Sequence, residues 1–177
     1  MNPHHSIAEQ DQPLAMSPLP LLVTHLAWAN RQLFGALREI ASFESQPGAD
    51  LIVRLLERVH VVSRIFQAHL QGVPHGFVST QSAAPPSLEE LDRASEAVDR
   101  WYVELATALT PEELARPREV RCTSGKTVTM NGAAMILHVV THTIHHRGNV
   151  DAIMFQCGMP RRRDGVPELL VSRASAT

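Results

Sequence analysis

The sequence predicts an all-α protein: a four-helix bundle with a long crossover between helices two and three and a small β-hairpin before helix four. Three observations carry that expectation. Four long segments repeat apolar residues at helical spacing. A stretch of about sixteen residues, "GVPHGFVSTQSAAPPS", separates the second from the third and is rich in Pro, Ser and Gly. A β-branched run, "REVRCTSGKTVTM", precedes the last.

Residues 1–17 are polar and proline-bearing and read as a loose lead-in. From Pro18 to Ala41, Leu22, Leu26, Ala29, Leu33, Leu37 and Ile40 recur on one helical face. Pro47 and Gly48 end that helix, and Asp50 is the expected N-cap of the second. Helix two carries Ile52, Leu55, Leu56, Val59, Phe66 and Leu70 on one stripe and stops at Gly72. The long connector suits a crossover between parallel helices. Ser87 followed by Glu90 reads as a capping box, so helix three runs from Leu88 to Leu109. "TPEEL" is a short turn or one capped extra turn. Ser124-Gly125 marks the hairpin turn, and helix four runs from Asn131 to Cys157, ending at Gly158 with Pro160 beyond. The domain boundaries are therefore 1–17 lead-in, 18–158 bundle and 159–177 C-terminal tail.

Composition bounds the function. The 177 residues are 44% hydrophobic and 19% charged, with a formal charge of −2, so no nucleic-acid or anionic-membrane partner is indicated. "RRRD" at Arg161–Asp164 reads as a solvated charge run. Cys122 and Cys157 make no disulfide framework and are expected to be reduced in the cytoplasm. The N-terminal residues lack the pattern of a signal peptide, and "LPLLVTHLAWA" is too short to span a bilayer.

The chemistry concentrates in "HVVTHTIHHRGNV", which holds four histidines in nine residues of a chain with ten. On a helix, His138, His142, His145, His146 and Asn149 fall within an arc of roughly 100°. His142 and His146 lie nearest the apolar side, spaced i, i+4, so both imidazoles can reach one ion at about 2.0–2.1 Å. A catalytic site of the zinc type usually takes a third protein ligand and keeps one position open. His60, beside Leu56 and Val59 on helix two, is the best candidate for that third ligand; His69 lies about 180° from it. His25, Glu57, His138, His145 and Asn149 are candidates to flank the ligands. "ERVH" at Glu57–His60 also resembles half of a di-iron motif, but helix four offers no Glu, so most of the carboxylates of such a site are missing.

These residues and their layout resemble the DinB family, also called the YfiT-like or bacillithiol-transferase-like superfamily, from about Pro18 to Gly158. "HLAWANRQL" is similar to the start of the family's first helix, and "LLERVHVVSRIFQAHLQG" to its second. "TSGKTVTMNGAAMILHVVTH" resembles the hairpin leading into helix four, and "HTIHHRGNV" the HxxxHRGQ pattern, the most specific part. Asn149 departs from it, standing where Gln is usual. The resemblance implies a divalent metal, zinc or nickel, on His60, His142 and His146. It also implies a low-molecular-weight thiol as co-substrate and a homodimer. A metal-bound thiol or water becomes a nucleophile near neutral pH, which suits an S-transferase or a hydrolase acting on a small molecule. The alternative is a non-catalytic metal- or ligand-binding bundle.

Other residues have plainer readings. Arg147 is expected to pair with Asp151 at i+4 or to sit at a subunit interface. Trp28, Met135 and Met154 read as packing residues, and Cys122 as a free thiol.

Overall fold

The computed structural model describes residues 18–123, 125–161 and 163–175. It is mostly helical. Four long helices, α1 (Pro18–Arg38), α2 (Ala49–Gln71), α3 (Leu88–Ala108) and α5 (Gly132–Gln156), are joined by a short α4 (Pro111–Ala115) and by strands β1 (Pro117–Arg121) and β2 (Thr127–Asn131); α6 (Val166–Ala174) follows. Helix α1 packs on α3 and α5, and α2 packs on α3 and α5.

Local chemistry sets the ends of these elements. Helix α2 begins after Gly48, whose φ of +81° suits glycine, so the expected cap Asp50 falls inside the first turn and pairs with Arg54 at 3.0 Å instead. A Cβ at Gly48 would lie 2.7 Å from Ile153 Cγ2 and 3.3 Å from Cys157 Sγ, so the entry to α2 abuts the end of α5. The capping box of Ser87 and Glu90 starts α3, and a second box of Thr110 and Glu113 makes "TPEEL" the turn α4. The strands pair antiparallel with Val120 opposite Val128. Val120 is buried and joins the hairpin to the core. Ser124 lies outside the described residues. Asn131 caps α5, its Oδ1 accepting from the Ala134 amide at 2.8 Å.

The apolar interior forms two clusters. One holds Leu26, Val62, Phe66, Val98, Tyr102, Val120 and Ile136; the other holds Phe34, Leu37, Ile52, Leu91, Val150 and Met154. Buried polar residues occupy the stretches between: Asn30 on α1, Glu57 on α2, Ser95 and Asp99 on α3, Thr143 and Arg147 on α5. Each long helix is thus apolar toward both ends and polar at its waist; of the two cavities described below, one opens beside that waist and the other beside the hairpin.

The segment after Gly158 is also tied down. Met159 and Leu169 are buried. The Asp164 carboxylate pairs with Arg147, and its carbonyl oxygen meets His25 Nε2 at 2.6 Å. Arg147 therefore does not pair with Asp151, which takes Arg161 at 2.8 Å. The i+4 spacing permits the first pairing, but burial of Arg147 favours the partner that the chain folds over it. Among the described residues, no helix is long and apolar enough to cross a membrane.

Candidate functional site

Helix α5 carries the histidine cluster along one edge. The His142 and His146 rings are 4.5 Å apart between centroids, the i, i+4 geometry expected of them. His138 stacks on His142 at 5.7 Å and lies 4.6 Å from the Phe66 ring of α2. His145 is exposed, 5.1 Å from the His146 ring, and its Nε2 meets Asn149 Nδ2 at 3.4 Å. His145 and Asn149 thus bond to each other, which fixes the outer side of the cluster.

Burial sets the protonation of the inner rings. Desolvation lowers the pKa of His138, His142 and His146, and the neighbouring histidines add to this at His142 and His146. His142 is pushed down to about 4. The rings are neutral at pH 7 and keep a lone pair for a ligand. The Arg58 guanidinium on α2 also lowers both His142 and His146.

His60 has a different setting. Its pKa is also pushed down to about 4, by burial and then by Arg64, with Glu57 opposing. The α2 residues that meet α5 and the hairpin are Val62 and Phe66, beside His142 and His138, and His69, whose Nε2 meets the Arg121 carbonyl at 3.2 Å. Arg58, in register with Val62 and Phe66, takes the side facing the histidine pair, while His60 lies one turn from Leu56, which packs in the cluster holding Val150 and Met154 of α5. Glu57, a candidate to flank the ligands, is buried: the crossover folds over it, and the Ser82 amide donates to Oε1 at 2.8 Å. His25, held by Asp164 and 6.2 Å from the Trp28 ring, is committed elsewhere.

The donor set can be tested against a divalent cation. Among the described residues, His60 Nδ1, His142 Nδ1 and His146 Nδ1 are all buried and lack a hydrogen-bond partner, as ligands awaiting an electrophile would. Two neutral imidazoles one turn apart fit two positions of such an ion. Among the described residues, no group of three or more His, Cys, Asp or Glu side chains is gathered closely enough to hold a metal as the chain stands. Arg58 is the residue missed by sequence reasoning; its register with Val62 and Phe66, at i, i+4 and i+8, is the signal that could have found it.

A cavity of about 320 Å³ opens from this cluster toward the hairpin. Its walls are mainly apolar, from Val62, Ile65, Phe66, Val120, Val128 and Met130, and His138, His142 and Cys122 supply polar atoms. The arrangement can hold a small apolar molecule against two neutral imidazoles.

Comparison with known proteins agrees with this architecture. A DinB-like protein from Bacillus cereus ATCC 10987 superposes with a TM-score of 0.59 at 17% identity, covering 79% of this chain and 91% of that one. A DinB-like protein from Bacillus subtilis gives 0.52 at 19% identity, covering 80% and 95%. At these identities the likeness speaks for the fold. In sequence, the chain is 24% identical to Protein DinB of Bacillus subtilis (strain 168), over 77% of this chain and 84% of that protein. The DinB family pattern matches residues 12–172, through the histidine cluster and into α6, and the chain belongs to the DinB family.

Proposed function

We propose that this chain is a metal-assisted enzyme in which His60, His142 and His146 hold a divalent ion, zinc or nickel, at the mouth of the apolar cavity. The observation that carries the reading is the double role of His142, which belongs both to the imidazole pair and to the cavity wall. A bound ion would supply Lewis acidity, making a thiol or a water nucleophilic near neutral pH. The chain's own residues do the rest. Val62, Phe66, Val120 and Met130 bind the apolar body of a small electrophile and exclude water. The Arg58 charge, felt at both histidines, favours an anionic nucleophile there. His138, on the same wall and neutral at pH 7, accepts the proton released by a thiol or water. The reaction class is S-transfer with a low-molecular-weight thiol, or hydrolysis.

The closed set of contacts among α1, α3, α2 and α5 supports reading the fold as a four-helix bundle. Exposed Leu137, Ile144 and Phe155 fall within roughly 20° of one another on α5, which supports a homodimer.

Elemental analysis of untagged protein tests the site. About one zinc or nickel per chain is expected in the wild type, lost in His60→Ala, His142→Ala and His146→Ala and kept in His138→Ala. Equal loss in His138→Ala, or no metal after zinc or nickel is added back, sinks the proposal. One observation favours a second reading, a non-catalytic ligand-binding bundle: among the described residues, no three candidate ligands are gathered as the chain stands. That reading is selected if the protein takes up no metal yet still binds small apolar molecules in the cavity.

A further inference from the structure

The larger cavity lies away from the histidine cluster. It measures about 520 Å³, is walled by α1, α3 and α6, and includes none of the clustered histidines. Its lining has three distinct zones. Trp28, Phe34, Val103 and Leu169 form an apolar wall. Trp28 is half-buried, with ring surface left for a ligand. At the helical waist, Ser95, Asn30 and Asp99 form a polar floor; all three are buried, and Asn30 Nδ2 donates to Asp99 Oδ2 at 2.9 Å. Arginines stand around the rim.

The charges at the rim are not equivalent. Arg38 is paired with Asp92, and Arg100 with Glu96 at 3.6 Å, so two cations and two anions cancel. Arg31 is exposed and, among the described residues, has no side-chain hydrogen bond or ion pair; its interaction is with the field of Asp99. An uncommitted guanidinium suits a carboxylate, which it binds through two parallel hydrogen bonds. Asp99 is a buried acid held by one amide. Burial pushes its pKa up to about 6, against the Asn30 hydrogen bond and the charges of Arg147 and Arg31, with Glu96 pushing further up. A buried carboxyl group costs stability, and cavities that carry one commonly use it to orient a ligand.

We propose that this cavity is a second ligand site, for a small aromatic carboxylate bearing a hydroxyl group. Its carboxylate pairs with Arg31, its ring packs on Trp28 and Phe34, and its hydroxyl meets the Asp99 carboxyl group. The apolar wall between rim and floor disfavours a purely polar anion, and the acids Asp92, Glu96 and Asp99 in the lining disfavour a polyanion.

Amide chemical-shift mapping on the full chain tests this with para-hydroxybenzoate as the probe. Saturable shifts are expected at Trp28, Asn30 and Ser95 and not at His142 or His146. Arg31→Gln, a surface change, should weaken binding about tenfold or more. The neutral para-hydroxybenzyl alcohol should bind wild type about tenfold more weakly, for the same reason. Asp99→Asn should weaken the probe but not benzoate, which lacks the hydroxyl. If Asp99→Asn does not fold, benzoate binding more weakly than the probe to wild type gives the same information. The proposal is overturned by no saturable shift up to about 10 mM, by shifts centred on the histidine cavity, or by equal affinity for the neutral analogue or for Arg31→Gln. His142→Ala should leave probe binding unchanged, so this site and the metal proposal fail or stand separately.

Discussion

At the scale of single residues, Gly48 shows most directly how one atom constrains the fold. Its backbone is left-handed, and the space a Cβ would need is taken by Ile153. Gly48→Ala should therefore destabilise the protein by about 1–3 kcal/mol, read as a lower urea midpoint with unchanged slope. Gly48 was legible as a helix breaker, but its contact with α5 was not, because that contact joins residues about a hundred positions apart. The histidines divide the same way. His142 and His146 were legible as a pair because i, i+4 geometry is local to one helix. Whether His60 joins them depends on which neighbour a face of α2 meets, which periodicity alone does not give. Buried residues on α2 include Ile52, Leu56, Glu57, Val59, Val61, Val62, Ser63, Ile65 and Phe66, so burial wraps most of the helix. A stripe that wide cannot say which of Arg58 and His60 looks toward α5.

At the scale of elements, α5 is fixed at both ends by chemistry that the sequence displays. Asn131 caps its start, and Gly158, at φ +70°, turns the chain so that the Met159 amide reaches the Met154 carbonyl at 2.8 Å. Asn131→Ala should cost about 1 kcal/mol in urea unfolding. It should leave metal content unchanged, since fraying is confined to the first turn and His142 lies nearly three turns further on. The four long helices and the hairpin were legible for the same reason: each has its own periodicity and its own punctuation. Helix α6 was not. "VPELLVSRA" is too short to hold itself as a helix in isolation, and it is ordered by what it docks on. Leu169 is buried, and Asp164 just before it reaches Arg147 and His25. Those partners lie on α5 and α1, and no window of local sequence contains them.

At the scale of the whole molecule, the polar waist makes stability depend on pH. His60 and His142 are pushed down to about 4, and burial lowers His138 and His146 as well. For these groups the folded state binds fewer protons than the unfolded chain below their ordinary value of 6.5. Their contribution is present above that pH and is lost as pH falls toward 4. Asp99, pushed up to about 6, acts oppositely: its contribution is present below 3.8 and is lost as pH rises through 6. The histidines outnumber the acid, so the melting temperature in chelator should fall from about pH 7 to about pH 5. His60→Gln should flatten that slope and Asp99→Asn should steepen it; a slope of the reverse sign would show the buried acid to dominate. The close approach at Gly48 has a consequence of another kind. Cys157 Sγ is half-buried in the joint between α2 and α5, where an alkyl group has no room. With Cys122 replaced by Ser, the rate at which an alkylating reagent consumes the remaining thiol counts how often that joint opens. The chain thus carries its own timepiece, at the seam where its second and last long helices meet.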